Sequence, residues 1–134
     1  MKCKIVGSTS EIFSGKIKSL MATSSEGELG IMPGHTPLLT SLRPGPVRII
    51  DTKDTESLLY VSGGFLEVQS NEVNILADTV IRSDDLDAAR IAKAKVEVKA
   101  LLKSKGMSNK NVKLLAQLAQ LDGQMRTLNQ KIKH

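Results

Sequence analysis

The chain has 134 residues and a net charge of +5, room for one modest domain or a smaller domain with an appendage. Its three aromatic residues, Phe13, Tyr60 and Phe65, imply an aliphatic core and leave few stacking platforms for bases or sugars. The lone Cys3 excludes an intrachain disulfide and a zinc ribbon, and no apolar run approaches the ~20 residues of a membrane span.

In chain order, the start runs directly into a strand-like KCKIVG with no apolar signal core after Met1, so a soluble cytoplasmic protein is expected. Up to Asp78 short strands alternate with turns. Ile17, Ser19 and Met21 interleave with Lys16, Lys18 and Leu20; Arg48 separates Val47 from Ile49; Glu72 and Asn74 alternate with Val73, Ile75 and Ala77. A period of two puts one face in the core and the other in water, as in antiparallel sheets. Leu58 to Val61 is apolar throughout and is expected in the middle of a sandwich. Pro44-Gly45-Pro46 and Gly63-Gly64 supply turns. The fold class predicted is α+β, with residues 1–83 an antiparallel β-sandwich.

Within that part, GELGIMPGHTPLLT (Gly27 to Thr40) is unusual. Gly30 and Gly34 permit backbone angles that a side chain would forbid, and Pro33 and Pro37 fix φ. Leu29, Ile31 and Met32 are too large and apolar for an ordinary exposed turn. The segment is either folded under the protein or presented to a partner.

From Ser83 the pattern turns helical. Ser83-Asp84-Asp85 carries a helix-start signature, and no proline or glycine follows until Gly106. Ile91, Ala94, Val98 and Leu101 share one face. Gly106 stops this helix, and Ser108 or Asn109 can cap a second. Leu114, Leu118, Leu121, Met125, Leu128 and Ile132 then form a heptad seam. Residues 84–134 are therefore expected as a two-helix antiparallel hairpin, sealed on itself and against the sandwich, or held marginally and able to open. The charge is divided the same way. Through Ser83 there are eight basic and nine acidic residues, a net of −1; from Asp84 there are eleven and five, a net of +6. Lys110, Lys113, Arg126, Lys131 and Lys133 lie on the last helix, either as a solvated face or as a docking surface.

Catalytic constellations are missing. The two histidines, His35 and His134, exclude a multi-histidine metal site. Ser62-Gly63-Gly64 has part of a nucleophile turn but neither the preceding Gly-x nor a nearby histidine. No Gly-rich loop with Lys-Ser/Thr is present for phosphates, and a nucleic-acid role would need stacking aromatics beside the basic helices. No catalytic residue, metal or cofactor is expected.

Five blocks in one order, GELGIMPGHTPLLT, PGPVRII at 44–50, YVSGGFLEV at 60–68, ILADTVIR at 75–82 and LDAAR at 86–90, resemble the epsilon subunit of bacterial F-type ATP synthase. The likeness covers essentially the whole chain, and Gly34-His35 is similar to bacterial members more than to the mitochondrial counterpart. The resemblance implies a non-catalytic central-stalk (rotor) subunit of a proton-translocating ATP synthase, peripheral on the cytoplasmic face of the inner membrane and attached to it only through the complex. It implies as partners the gamma subunit and the c-subunit ring, the latter met by Glu28, Ile31, Met32 and His35. A turn histidine bonding its own backbone is the other reading of His35.

The resemblance further implies that the hairpin extends among the alpha and beta subunits, where Lys110, Lys113, Arg126, Lys131 and Lys133 meet acidic segments and inhibit ATP hydrolysis. Family members that bind ATP use an Ile/Leu-Asp-x-x-Arg-Ala motif; here Leu86-Asp87-Ala88-Ala89-Arg90 is followed by Ile91. An acidic position falls on Ile81, and two arginines fall near Gln120 and Gln124. Each charge-assisted bond is worth about 1.5–3 kcal/mol, so Asp87 and Arg90 are expected to brace the helix start, with at most weak regulatory ATP binding. The alternative to this family role is a free-standing sandwich with a basic tail for an acidic protein or nucleic acid.

Overall fold

The computed structural model describes residues 1–8, 10–105 and 111–133, without the side chains of Lys105, Ile132 and Lys133. Nine strands come first: β1 (Lys2–Val6), β2 (Glu11–Ser24), β3 (Gly27–Ile31), β4 (Leu38–Leu42), β5 (Gly45–Asp51), β6 (Glu56–Val61), β7 (Gly64–Gln69), β8 (Glu72–Leu76) and β9 (Val80–Arg82). They pair in the order β1-β8-β7-β4-β2-β5-β6-β9, with β3 on β2. β1 also pairs with β2, so the ladder turns back on itself and encloses the core as a sandwich, with β2 shared by both layers. All pairings are antiparallel except β1 with β8, which is parallel with Ile5 opposite Ile75.

The core is aliphatic. Ile5, Leu20, Val47, Leu66, Val73 and Ile75 are all fully buried. Each such side chain contributes about 1.5–3 kcal/mol relative to exposure. Simple alternation holds in β5, where Val47 and Ile49 point inward, and in β8 with Val73 and Ile75.

It fails in β2. Ile17 faces Asp51 but Ser19 faces Ile50, so Lys18 is an extra residue in a bulge. The bulge shifts the phase: Ile17, Leu20 and Ala22 are buried while Met21 is 42% exposed. The expected face of Ile17, Ser19 and Met21 is thereby corrected.

β6 pairs with β5 on one side and β9 on the other, so Leu59 to Val61 have strand neighbours on both edges and are buried. Leu59 and Val61 enter the core, whereas Tyr60 is buried on the outer face beneath a helix.

A 3-10 turn, Ser83–Asp85, follows β9; Leu86 is extended; α1 spans Ala88–Lys105 and α2 spans Val112–Lys133. The helix start expected at Ser83 is thus displaced. Asp87 is the residue that caps α1, its Oδ1 accepting from the N–H groups of Ala89 (3.0 Å) and Arg90 (3.2 Å). The division expected after Ser83 falls inside the 3-10 turn. The expected stop at Gly106 and caps at Ser108 or Asn109 lie outside the described residues.

α1 and α2 pack as an antiparallel hairpin, and α2 in turn lies on β5 and β6. Ile91, Val98 and Leu102 of α1 and Leu128 of α2 are buried, and Lys95 Nζ pairs with Asp122 Oδ1 across the hairpin at 2.6 Å.

Candidate functional site

Two surfaces carry the residues singled out by sequence. The first is the β3–β4 connection. β3 pairs along β2 with Glu28 opposite Thr23 and Ile31 opposite Leu20. Ile31 is 0% exposed and belongs to the core, so its expected place on the presented tip is corrected: Leu20 and Ile31 are neighbours on the inward face. Met32, the next residue, is 65% exposed.

From Met32 the chain makes a turn with Pro33 and Gly34 at its centre. His35 N–H donates to Met32 O at 3.1 Å, and Gly34 has φ of +87°, the signature of a type II turn that needs glycine there. His35 Nδ1 lies 2.7 Å from the Thr36 carbonyl oxygen. A carbonyl only accepts, so Nδ1 carries the proton and Nε2 is the acceptor nitrogen. Glu28 lies within β3 beside Met21, Pro46 and Gln130, Met32 follows the end of β3, and His35 closes the turn; Glu28 and Met32 are exposed and His35 is half-buried.

The second surface is where α2 meets the sandwich. The leucine seam predicts an apolar contact; the contact observed is polar. Gln120 Nε2 donates to Ser62 O at 2.8 Å, and the Tyr60 hydroxyl donates to Gln120 Oε1. Arg126 Nη2 donates to Pro44 O at 2.6 Å, and Arg48 Nη2 to Gln130 Oε1 at 3.0 Å. Arg48 Nε is also 2.7 Å from Glu56 Oε1, close enough for an ion pair although its N–H is not aligned for a hydrogen bond. Thr127, fully buried, turns its hydroxyl back to Gly123 O at 2.9 Å.

In the middle sits Gly123. A Cβ placed there would lie 2.7 Å from both the carbonyl carbon and oxygen of Pro44, so only glycine seats here without displacement. Of the seam leucines, Leu121 borders a cleft together with Gln124 and with Ile91 and Ala94 of α1.

Of the five basic residues, the side chains described are those of Lys113, Arg126 and Lys131. Arg126 is held by Pro44, and Lys131 Nζ pairs with Asp84 Oδ1 at 2.6 Å. That pairing holds the Asp84 carboxyl below its ordinary value, first through the hydrogen bond from Lys131 and then through its charge. Lys113 is exposed; Lys110 and the Lys133 side chain lie outside the described residues.

Burial pushes the Tyr60 phenol up to about 12, against the opposing pull of Gln124 and the Arg126 charge.

Asp87 and Arg90 border the cleft of about 280 Å³ between the 3-10 turn and the hairpin, with Asp85, Ile81 and Gln124. Two carboxylates against one guanidinium fit a triphosphate poorly, and Asp87 Oδ1 already accepts two backbone N–H groups. Gln120 is engaged elsewhere, on Tyr60 and Ser62.

Among the described residues no group of three or more His, Cys, Asp or Glu could hold a metal, and no helix is long and apolar enough to cross a membrane. Burial pushes the Cys3 thiol up to about 12, which keeps it protonated.

Sequence reasoning missed the polar face of α2. Its signal was present: Gln120, Gly123, Thr127 and Gln130 recur at helical spacing, and a glycine inside a helix costs ~1 kcal/mol relative to alanine unless it has a use.

A family model described as ATP synthase, delta/epsilon chain, beta-sandwich domain matches residues 1–83. The chain is 44% identical over 134 residues to proteins named ATP synthase epsilon chain from Acinetobacter baylyi and Acinetobacter baumannii, covering 100% of this chain and 96% of each relative. It is 43% identical over 128 residues to that of a Psychrobacter species, covering 96% of this chain and 93% of the relative. In solved structures, the fold is similar to a chain of the Euglena gracilis mitochondrial ATP synthase OSCP/F1/c-ring, with TM-score 0.76, 20% identity and coverage of 98% and 80%. A chain of the Tetrahymena thermophila mitochondrial ATP synthase central stalk and c-ring gives TM-score 0.57 at 19% identity, covering 65% and 69%. At these identities the two structures speak for the fold alone.

Proposed function

The chain belongs to the family of ATP synthase epsilon chains, and we propose that it is a non-catalytic rotor subunit whose sandwich couples the central stalk to the c-ring and whose hairpin restrains ATP hydrolysis. Its partners on this reading are the gamma subunit and the c-ring, with the alpha and beta subunits met by the released hairpin. It attaches peripherally to the cytoplasmic face of the membrane, through the complex alone.

One observation carries the regulatory part: α2 rests on the sandwich through hydrogen bonds and a bare glycine backbone, not through its leucine seam. Each hydrogen bond in that contact contributes only ~1 kcal/mol net, and α2 also covers the Tyr60 ring. Release also frees Arg126 and Lys131, which the docked arm holds on Pro44 and Asp84. Of the two, Lys131 gives up an opposite charge on release, and an unpaired cation suits an arm that seeks acidic segments elsewhere.

For the c-ring, Met32 and His35 on the turn and Glu28 in β3 remain as the contact residues. Ile31 supports that turn from within. The cleft at Asp87 and Arg90 is proposed to bind ATP weakly at most. Likeness along the full chain disfavours the free-standing module for an acidic protein or nucleic acid.

Co-purification tests the reading. The chain is expected to leave the membrane together with ATPase subunits. Recovery as a free protein carrying nucleic acid would overturn the rotor assignment.

A further inference from the structure

At Gly123 the backbone of α2 comes close to the sandwich, and an added Cβ would lie 2.7 Å from the Pro44 carbonyl. Gln120 and Arg126 flank Gly123 by three residues on either side, and both bond to the sandwich only while the helix backbone lies against Pro44. A side chain at 123 would meet backbone and not a flexible side chain, since the nearest atoms are the Pro44 carbonyl and the Gly45 nitrogen.

We propose that Gly123 is the latch of the arm, and that any side chain at this position shifts the chain from the docked to the undocked hairpin. The inference rests on the proposed reading only in treating the hairpin as an arm that leaves. A Cβ at 123 needs roughly 0.7 Å of withdrawal to reach an ordinary 3.4 Å contact with Pro44. That displacement stretches the Arg126–Pro44 bond and the Gln120–Ser62 bond together. The same substitution favours helix in α2 itself, so the hairpin is kept while its seat is lost.

Tyr60 is a built-in reporter: it is the only tyrosine, the chain has no tryptophan, and α2 covers it when docked. Acrylamide quenching of its fluorescence in the full chain tests the proposal. Gly123→Ala is expected to raise the quenching constant several-fold and to lower the Tyr60 titration midpoint from about 12 toward 10, with helical circular dichroism retained. Gln117→Ala, on the exposed side of α2, should change neither. Unchanged protection of Tyr60 in Gly123→Ala would overturn the latch. Loss of amide-exchange protection in the sandwich strands would overturn it too, since the contact would then be supporting the fold. An exposed Tyr60 with unchanged hydrolysis by the assembled enzyme would leave the latch standing and remove the braking role.

Discussion

Ile31 and Met32 are adjacent in the chain and opposite in role. Ile31→Ala removes core volume and should lower unfolding free energy by about 2–5 kcal/mol in urea titration. Met32→Ala, at an exposed turn, should leave stability within ~0.5 kcal/mol and reduce proton movement per ATP hydrolysed in the assembled enzyme. Unimpaired coupling in Met32→Ala and Glu28→Gln would return the stretch to a structural turn. Asp87→Ala should weaken α1 by ~1 kcal/mol through loss of its cap, and calorimetry of the isolated subunit with ATP should detect no tight, saturable binding.

Two groups give the docked arm a pH window. Tyr60 is raised to about 12 in the folded chain against 10 when exposed, so its share of stability is complete below pH 10 and is lost as pH rises to about 12. Asp84 is lowered by Lys131, so its smaller, solvent-screened share is present above the ordinary value of 3.8 and is lost as pH falls below it. Tyr60 quenching followed against pH should therefore rise at both ends, and Asp84→Asn should blunt the acid limb.

At the scale of elements, burial and bonding divide the molecule into layers of unequal hold. The sandwich encloses fully buried aliphatic side chains on strands that pair almost throughout, while α1 touches the remainder chiefly through α2. Hydrogen exchange should follow that order, slowest in β5 and β8 and faster in α1 and α2. Equal protection of the hairpin and β5 would contradict a marginal arm.

Element types were legible where one periodicity governs: Val47 with Ile49, and Val73 with Ile75, announce their strands unaided. β2 was legible as a strand but its inward face was not, because the bulge at Lys18 exchanges its faces midway and no turn residue marks it. α2 was legible as a helix from its leucines, yet the hydrogen bonds that seat it on the sandwich come from its other face. The Gln120–Gly123–Gln130 face is polar, so a search for apolar stripes passes over it.

For the whole molecule, the charge division of −1 against +6 coincides with the division between sandwich and hairpin. The class and the two-part layout follow from periodicity and charge, whereas the docked face, with its close backbone approach at Gly123 and Pro44, is marked only by Gln120, Gly123, Thr127 and Gln130 at helical spacing. The loop residues were legible as a group but not individually, since inward or outward placement of Ile31 depends on its register with Leu20.

The central claim is that the hairpin is a detachable restraint on a subunit with no chemistry of its own. Its most direct test is ATP hydrolysis by the assembled, membrane-bound enzyme whose subunit ends after Gly106. Faster hydrolysis with assembly and proton coupling intact is the predicted result; hydrolysis equal to that of the full-length enzyme would contradict the account.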